Sequence, residues 1–219
     1  MNTEVLTRYI PRFIDAFLLT IKIGWMGIAL SLGIGIVTAF ASHFKIPVIK
    51  TITGIYVELF RNTPLLVQLF FIYFGLPKIG FNVSAEGCGI VGLGLLGGSY
   101  MCEAIRSGLD AISNVQTESA EALGLTRLQV FRYVIFPEAL SLSVPAIVAN
   151  IVFLLKETSV FSAISLMDLM FTAKDLIGLY YDTTEALFLL VLFYTVMLLP
   201  VSVIGDRLEK RARYRIFGD

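Results

Sequence analysis

The sequence predicts an all-α integral membrane protein with five bilayer-crossing helices, on three observations. Apolar residue types make up 57% of the chain and charged ones only 16%, with a mean hydropathy of +0.82, too oily a balance for a soluble fold. Five apolar stretches approach the roughly 20 residues a helix needs to cross a hydrocarbon core. Between the third and the fourth lies a polar segment, "SNVQTESAEALGLTRLQVFRYVIFP" at 113–137, punctuated by helix-start and helix-stop signals.

The first span is read over 15–42, its uncharged core at 23–41 preceded by an amphipathic approach carrying Asp15 and Lys22. The opening "MNTEVLTRYIPRFIDAF" lacks a basic start, a short apolar core and a small-residue cleavage site, so this span is expected to be retained. The second is read as one helix over 55–77 and the third over 87–110, running on past its apolar part through Glu103 and Arg106. The fourth covers 138–156 and the fifth 184–206. Six glycines fall between Gly87 and Gly98, and the Gly94–Gly98 spacing predicts close helix packing within the chain. Pro145 and Pro200 are expected to kink or weaken the fourth and fifth spans. Cys88 and Cys102 match no metal or redox spacing and are read as buried small residues.

Orientation follows from basic residues. With the N-terminus outside, Lys45, Lys50, Arg61, Arg106, Arg127 and Arg132 lie inside, together with Arg207, Lys210, Arg211, Arg213 and Arg215 of the tail. Only Arg8, Arg12, Lys78, Lys156 and Lys174 fall outside. The polar segment, a loop at 112–137, and the C-terminus are therefore expected in the cytoplasm. Seventeen basic residues balance seventeen acidic ones, so net charge points to no nucleic-acid partner.

Ser113 with Gln116 has capping-box spacing and predicts a short helix, closed by Gly124, a residue that enters the left-handed conformation at little cost. Thr126 with Gln129 repeats the spacing and starts a second helix, with Leu128, Phe131 and Ile135 on one stripe and Pro137 as its stop. The result is a projecting helix–glycine turn–helix knob. Glu118 and Glu121 beside Ala120 and Ala122 suit a protein cleft better than an anionic membrane surface.

At these residues the segment resembles the EAA loop of the membrane subunits of ATP-binding-cassette (ABC) importers. Glu118, Ser119, Ala120, Gly124 and Pro137 occupy its places, Ser119 standing where the first Ala is usual. "YVELFRNTPLLVQLFFIYFGLP", "SYMCEAIRSGLDAI" and "NIVFLLKETSVFSAIS" are similar to stretches of polar amino acid permeases of the histidine, glutamine, arginine and cystine kind. The resemblance implies a type I importer permease fold in a bacterial inner membrane, with the loop, Glu121 included, as the helix that couples to an ATPase subunit. It implies ATP and Mg on that separate subunit, a second permease subunit, an extracytoplasmic amino-acid-binding protein and a polar amino acid as cargo. A secondary transporter or channel for small polar solutes is the alternative, and it leaves the capped knob without a task.

No Gly-rich phosphate loop ending in Gly-Lys-Ser/Thr, no HExxH and no GxSxG occurs. The chain is therefore expected to carry no catalytic residue, no metal and no cofactor of its own. The single histidine, His43, reads as an interfacial residue. Charges in spans need partners: Glu58 with Arg61, and Glu103 with Arg106, are three apart and predict intrahelical ion pairs, with an inner gate as their possible joint role. Lys156, Glu157, Thr158 and Ser159 offer both a cation and an anion to a zwitterionic amino acid, and are candidates for the translocation path together with Asp168.

Overall fold

The computed structural model describes residues 3–43 and 47–217; Lys45 lies outside the described residues, as do the side chains of His43 and Arg215. Among the described residues the secondary structure is entirely helical. Helices α1 (Thr3–His43), α4 (Ala85–Asp110) and α9 (Thr183–Phe217) contain three of the four spans that cross by length and composition alone, and α7 (Phe136–Glu157) forms the middle of the other, Arg127–Ile164. A fifth crossing is made of α2 (Pro47–Arg61) and α3 (Leu65–Phe70), the latter extended by a π turn, Phe71–Gly75, and a 3-10 turn to Ile79. The two pieces meet at 103°.

That elbow departs from the single helix expected over 55–77. Pro64 has no N–H to donate and disfavours helical backbone at Thr63. Side chains take the carbonyls of Leu59, Phe60 and Thr63 at the break and add a second bond to Glu58 O, which already accepts Asn62 N–H. Asn62 Nδ2 donates to Glu58 O at 2.8 Å, Thr63 Oγ1 to Leu59 O at 2.6 Å, and Gln68 Nε2 to Phe60 O at 3.0 Å and Thr63 O at 2.9 Å.

Glycines set how closely the spans pack. A Cβ on Gly27 or Gly35 of α1 would strike Leu93 or Met101 of α4, and one on Gly94 or Gly98 of α4 would strike Leu30 or Ile34 of α1. Each helix thus receives the other's large side chains, and because both numberings rise together the two helices run parallel. The glycine-rich stretch is intrachain packing, as its spacing predicts. Around this seam Ile23, Leu69, Leu154, Leu155 and Phe161 are fully buried. A second core joins the start of α1 to α9 and to α8 (Leu169–Tyr180), with Phe13 stacked on Phe193 at 5.5 Å. Cys88 and Cys102 are free and buried.

α9 begins beside the start of α1, where Tyr9 Oη donates to Asp182 Oδ2 at 2.6 Å, and packs antiparallel on α7, Tyr194 near Thr158 and Gly205 against Val148. The end of α1, the polar segment and the basic end of α9 therefore share one end of the bundle.

The later prolines lie inside helices. α7 runs through Pro145 and α9 through Pro200 without interruption. Pro137 does not stop its helix either: one continuous crossing runs over Arg127–Ile164. Residues Phe131–Ile135 form a π turn in which Phe136 N–H reaches back to Phe131 O. This wider turn accommodates a proline ring in the next turn and needs no N–H from it.

Candidate functional site

Two regions carry the functional side chains. The first is the hairpin of α5 (Asn114–Ala122) and α6 (Arg127–Val130). Ser113 Oγ accepts Gln116 N–H at 3.4 Å, but the reciprocal half of that capping box is not made. Gln116 Nε2 instead donates to Glu138 Oε1 at 2.9 Å and so ties α5 to the base of α7. The second box is complete: Thr126 N–H donates to Gln129 Oε1 at 2.8 Å, and Gln129 N–H to Thr126 Oγ1 at 3.4 Å. Between them Gly124 stands at φ +85°, and Leu125 N–H returns to Ala120 O at 3.3 Å.

Ala120 faces inward and is buried, while Glu118, Ser119, Glu121 and Gly124 are exposed, as is Pro137. The expected stripe of Leu128, Phe131 and Ile135 does not form a buried face. Leu128 is 76% exposed and the buried residue is Val130, at 2%; the π turn over Phe131–Ile135 then takes Phe131 and Ile135 off the 3.6-residue stripe that the spacing assumed. The sequence reading passed over two apolar residues that project beside the carboxylates, Val115 and Leu123, the latter 83% exposed. A large aliphatic residue directly before a turn glycine in a polar segment was the signal for Leu123. Behind the hairpin Phe40, at the end of α1, lies 6.0 Å from Phe131 and 6.5 Å from Phe136.

The second region is a charged cavity of about 470 Å³ between α2 and α4, lined by Glu58, Arg61, Asn62, Tyr100, Glu103 and Arg106. Of the two intrahelical pairs expected, Glu103–Arg106 is present at 2.7 Å. Arg61 does not pair with Glu58; it crosses to Glu103 at 3.1 Å and lies over the Tyr100 ring at 5.2 Å. Arg61 is the last residue of α2, so its side chain leaves the helix at the elbow and reaches across to α4. Glu103 thus holds both guanidiniums. An adjoining cavity of about 340 Å³ shares Arg61, Asn62 and Tyr100 and adds Leu96, Phe153 and Glu157. The parts played here by Asn62 and Tyr100 depend on the 103° bend, which no spacing rule anticipates.

Lys156 and Glu157 end α7 and face different walls. Glu157 lines the cavity just described, whereas Lys156 lies in an apolar groove of about 490 Å³ between α7 and α9 with Tyr194 and Leu198. They do not form one zwitterion site. Thr158 is fully buried and donates to Leu155 O at 2.7 Å; Ser159 is half-buried and its carbonyl accepts Ser162 Oγ at 3.4 Å.

Asp168 lines none of these three cavities. Fully buried, it caps α8, accepting Phe171 N–H on Oδ1 at 2.8 Å while Oδ2 lacks a partner. Burial pushes its carboxyl up to about 7 against the opposing pull of the Phe171 and Met170 N–H groups. The folded chain therefore holds a proton that the unfolded chain releases near its ordinary value of 3.8. Stability from this group is full below about pH 4, declines as pH rises towards about 7 and is flat above. Asp168→Asn keeps a capping oxygen and is expected to flatten that slope, read as the apparent Tm of purified protein from pH 4 to 8.

Among the described residues no group of three His, Cys, Asp or Glu could hold a metal. The family described as "Binding-protein-dependent transport system inner membrane component" matches residues 31–214. A relative from Bacillus subtilis (strain 168), "Probable glutamine ABC transporter permease protein GlnP", is 34% identical over 90% of this chain and 92% of its own length. "Arginine transport system permease protein ArtQ" of the same strain is 32% identical over 93% of this chain and 94% of its own. Among solved structures, "Crystal structure of an amino acid ABC transporter with histidines" superposes with a TM-score of 0.89 at 32% identity, covering 96% of this chain and 99% of that one. With its five-crossing helical bundle and capped hairpin, this chain belongs to the family of inner membrane components of binding-protein-dependent transport systems, and is a transport component rather than an enzyme.

Proposed function

We propose that this chain forms the translocation path of an ATP-driven importer of polar amino acids in a bacterial inner membrane, and that the α5–α6 hairpin is its coupling element. The observation that carries the reading is the hairpin itself. It is a doubly capped knob with exposed Glu118, Ser119 and Glu121, flanked by apolar Leu123 and Leu128. A rigid mixed surface of this kind fits a cleft in a protein partner, here a separate ATPase subunit that holds ATP and Mg. The hairpin end, shared with the basic tail of α9, is assigned to the cytoplasm and the N-terminus to the outside, where a binding protein delivers the cargo.

The charged cavity supports the rest of the reading. Glu58, Arg61 and Arg106 are exposed on the single chain within a membrane-crossing region, and lipid does not tolerate such a face. A second permease subunit, identical or a sister, covers it and turns the cavity into a path. The Arg61–Glu103–Arg106 cluster then gates that path, with Glu157 on its wall. Closure of the two ATPases moves the hairpins together and switches the path between inward and outward access, a rigid-body change.

Gly124→Val tests the coupling assignment. At φ +85° a β-branched residue is strained by about 1–2 kcal/mol, which distorts the knob without touching the spans. The expected result is severalfold weaker retention of the ATPase on co-purification, with membrane levels of the permease unchanged. Full retention and full substrate-stimulated ATP hydrolysis would reject it.

A further inference from the structure

Lys22 holds Glu86, and Arg61 and Arg106 both hold Glu103, but Lys156 is in no ion pair among the described residues. It lies exposed in the groove of about 490 Å³ between α7 and α9. One step along a helix turns about 100°, so Lys156 points away from Glu157, and its groove opens on a different side from the cavities that Glu157 and Arg61 line. Its depth can be read from its neighbours. Leu155 and Thr158, which flank it, lie against Gly24, two residues along α1 from Lys22, whose half-exposed pair with Glu86 marks the polar boundary at the end of the bundle opposite the hairpin. Lys156 therefore stands within about one helical turn of that boundary, a distance that a lysine stem covers. The groove runs along α9 from Leu190 to Ser202, roughly 18 Å at about 1.5 Å per residue. That is close to one leaflet of a hydrocarbon core about 30 Å thick.

We propose that this groove is a binding site for an anionic phospholipid, of the phosphatidylglycerol type, from the leaflet opposite the hairpin end. Its phosphate takes the Lys156 ammonium at the mouth, and one acyl chain runs inward along Val191, Leu198 and Leu199 to the level of Ser202. A cation at this depth demands a counter-charge, and no carboxylate lines the groove. A lipid phosphate supplies one at the height where the lysine stem ends, and the apolar walls suit the chain below it. A zwitterionic lipid carries a cation of its own beside the phosphate, which competes with Lys156, so a net negative headgroup is favoured. The second permease subunit proposed above covers the α2–α4 face and leaves this one to lipid. The assignment needs only the membrane crossings and is independent of the cargo.

The test is native mass spectrometry of the permease–ATPase complex released from nanodiscs made of an equal mixture of phosphatidylglycerol and phosphatidylcholine. Phosphatidylglycerol is expected to be retained about fivefold over phosphatidylcholine, the factor that one lysine beside an anionic headgroup supplies. Lys156→Gln is expected to bring that ratio close to one, whereas Lys156→Arg, which keeps the charge, preserves it. Leu199→Trp fills the groove at an exposed position and leaves Lys156 in place, so it is expected to lower the retention of both lipids. A benzophenone-bearing residue at the exposed Thr195 is expected to capture phosphatidylglycerol on irradiation. No preference in the unaltered complex, a ratio unmoved by Lys156→Gln, or capture of a second permease subunit at Thr195 in place of lipid overturns the site. Each of those results leaves the importer reading intact, because none of them touches the hairpin or the charged cavity.

Discussion

Gly97→Leu is expected to keep the permease from accumulating in the membrane. A Cβ at Gly97 would stand 2.6 Å from both Leu154 Cδ1 of α7 and Ser31 Cβ of α1, and both neighbours are fully buried. Neither wall can retreat, because the same α1 is locked to α4 on either side by Leu30 against Gly94 and Ile34 against Gly98. Inserting a few carbons into such a seam costs about 3 kcal/mol or more, enough to empty the native state of a marginally stable protein. Gly33→Leu is the control. Nothing lies within 4 Å of a Cβ there, so its membrane level and Tm are expected to match those of the unaltered protein. Normal accumulation of Gly97→Leu would show that α1, α4 and α7 do not meet in this way.

Glu103→Ala is the second large effect. Its two oxygens hold Arg61 at 3.1 Å and Arg106 at 2.7 Å. Truncation leaves two guanidiniums facing one cavity with Glu58 as the only carboxylate on its wall. These arginine side chains are 40% and 48% exposed, so solvent screens part of the repulsion, and about 1–3 kcal/mol remains. Uptake in vesicles is expected to fall between about tenfold and a hundredfold at that cost, while ATPase retention stays normal. Glu103→Asp, which keeps the charge, should recover part of the uptake. Equal loss of ATPase binding in Glu103→Ala would mean that the cluster holds up the fold rather than the path.

The crossings were legible because hydropathy is a property of the segment and survives any tertiary arrangement. The hairpin was legible because caps and turn glycines act within four residues: Thr126 with Gln129 and Gly124 sit as their spacing predicts. What was not legible depended on the third dimension. Arg61 is three residues from Glu58 but ends its helix, so its partner is Glu103 on another. Lys156 and Glu157 are adjacent, and adjacency on a helix sends side chains to different walls. Pro64 breaks its span whereas Pro137 and Pro145 do not. The residue type is the same in all three; at Pro64 the side chains of Asn62, Thr63 and Gln68 take backbone carbonyls and secure the break, whereas before Pro137 a π turn takes up the ring within the helix. Asp168 read as a charge seeking cargo, and its bond to Phe171 N–H makes it a helix cap.

The ring cluster of Phe40, Phe131 and Phe136 braces the root of the hairpin against α1. Because α1 and α4 interlock along their length, a push received at the knob is passed to a stiff two-helix girder rather than dissipated in a loop. α9 joins that girder from the side, through Gly205 against Val148 of α7 and Phe193 on Phe13 of α1.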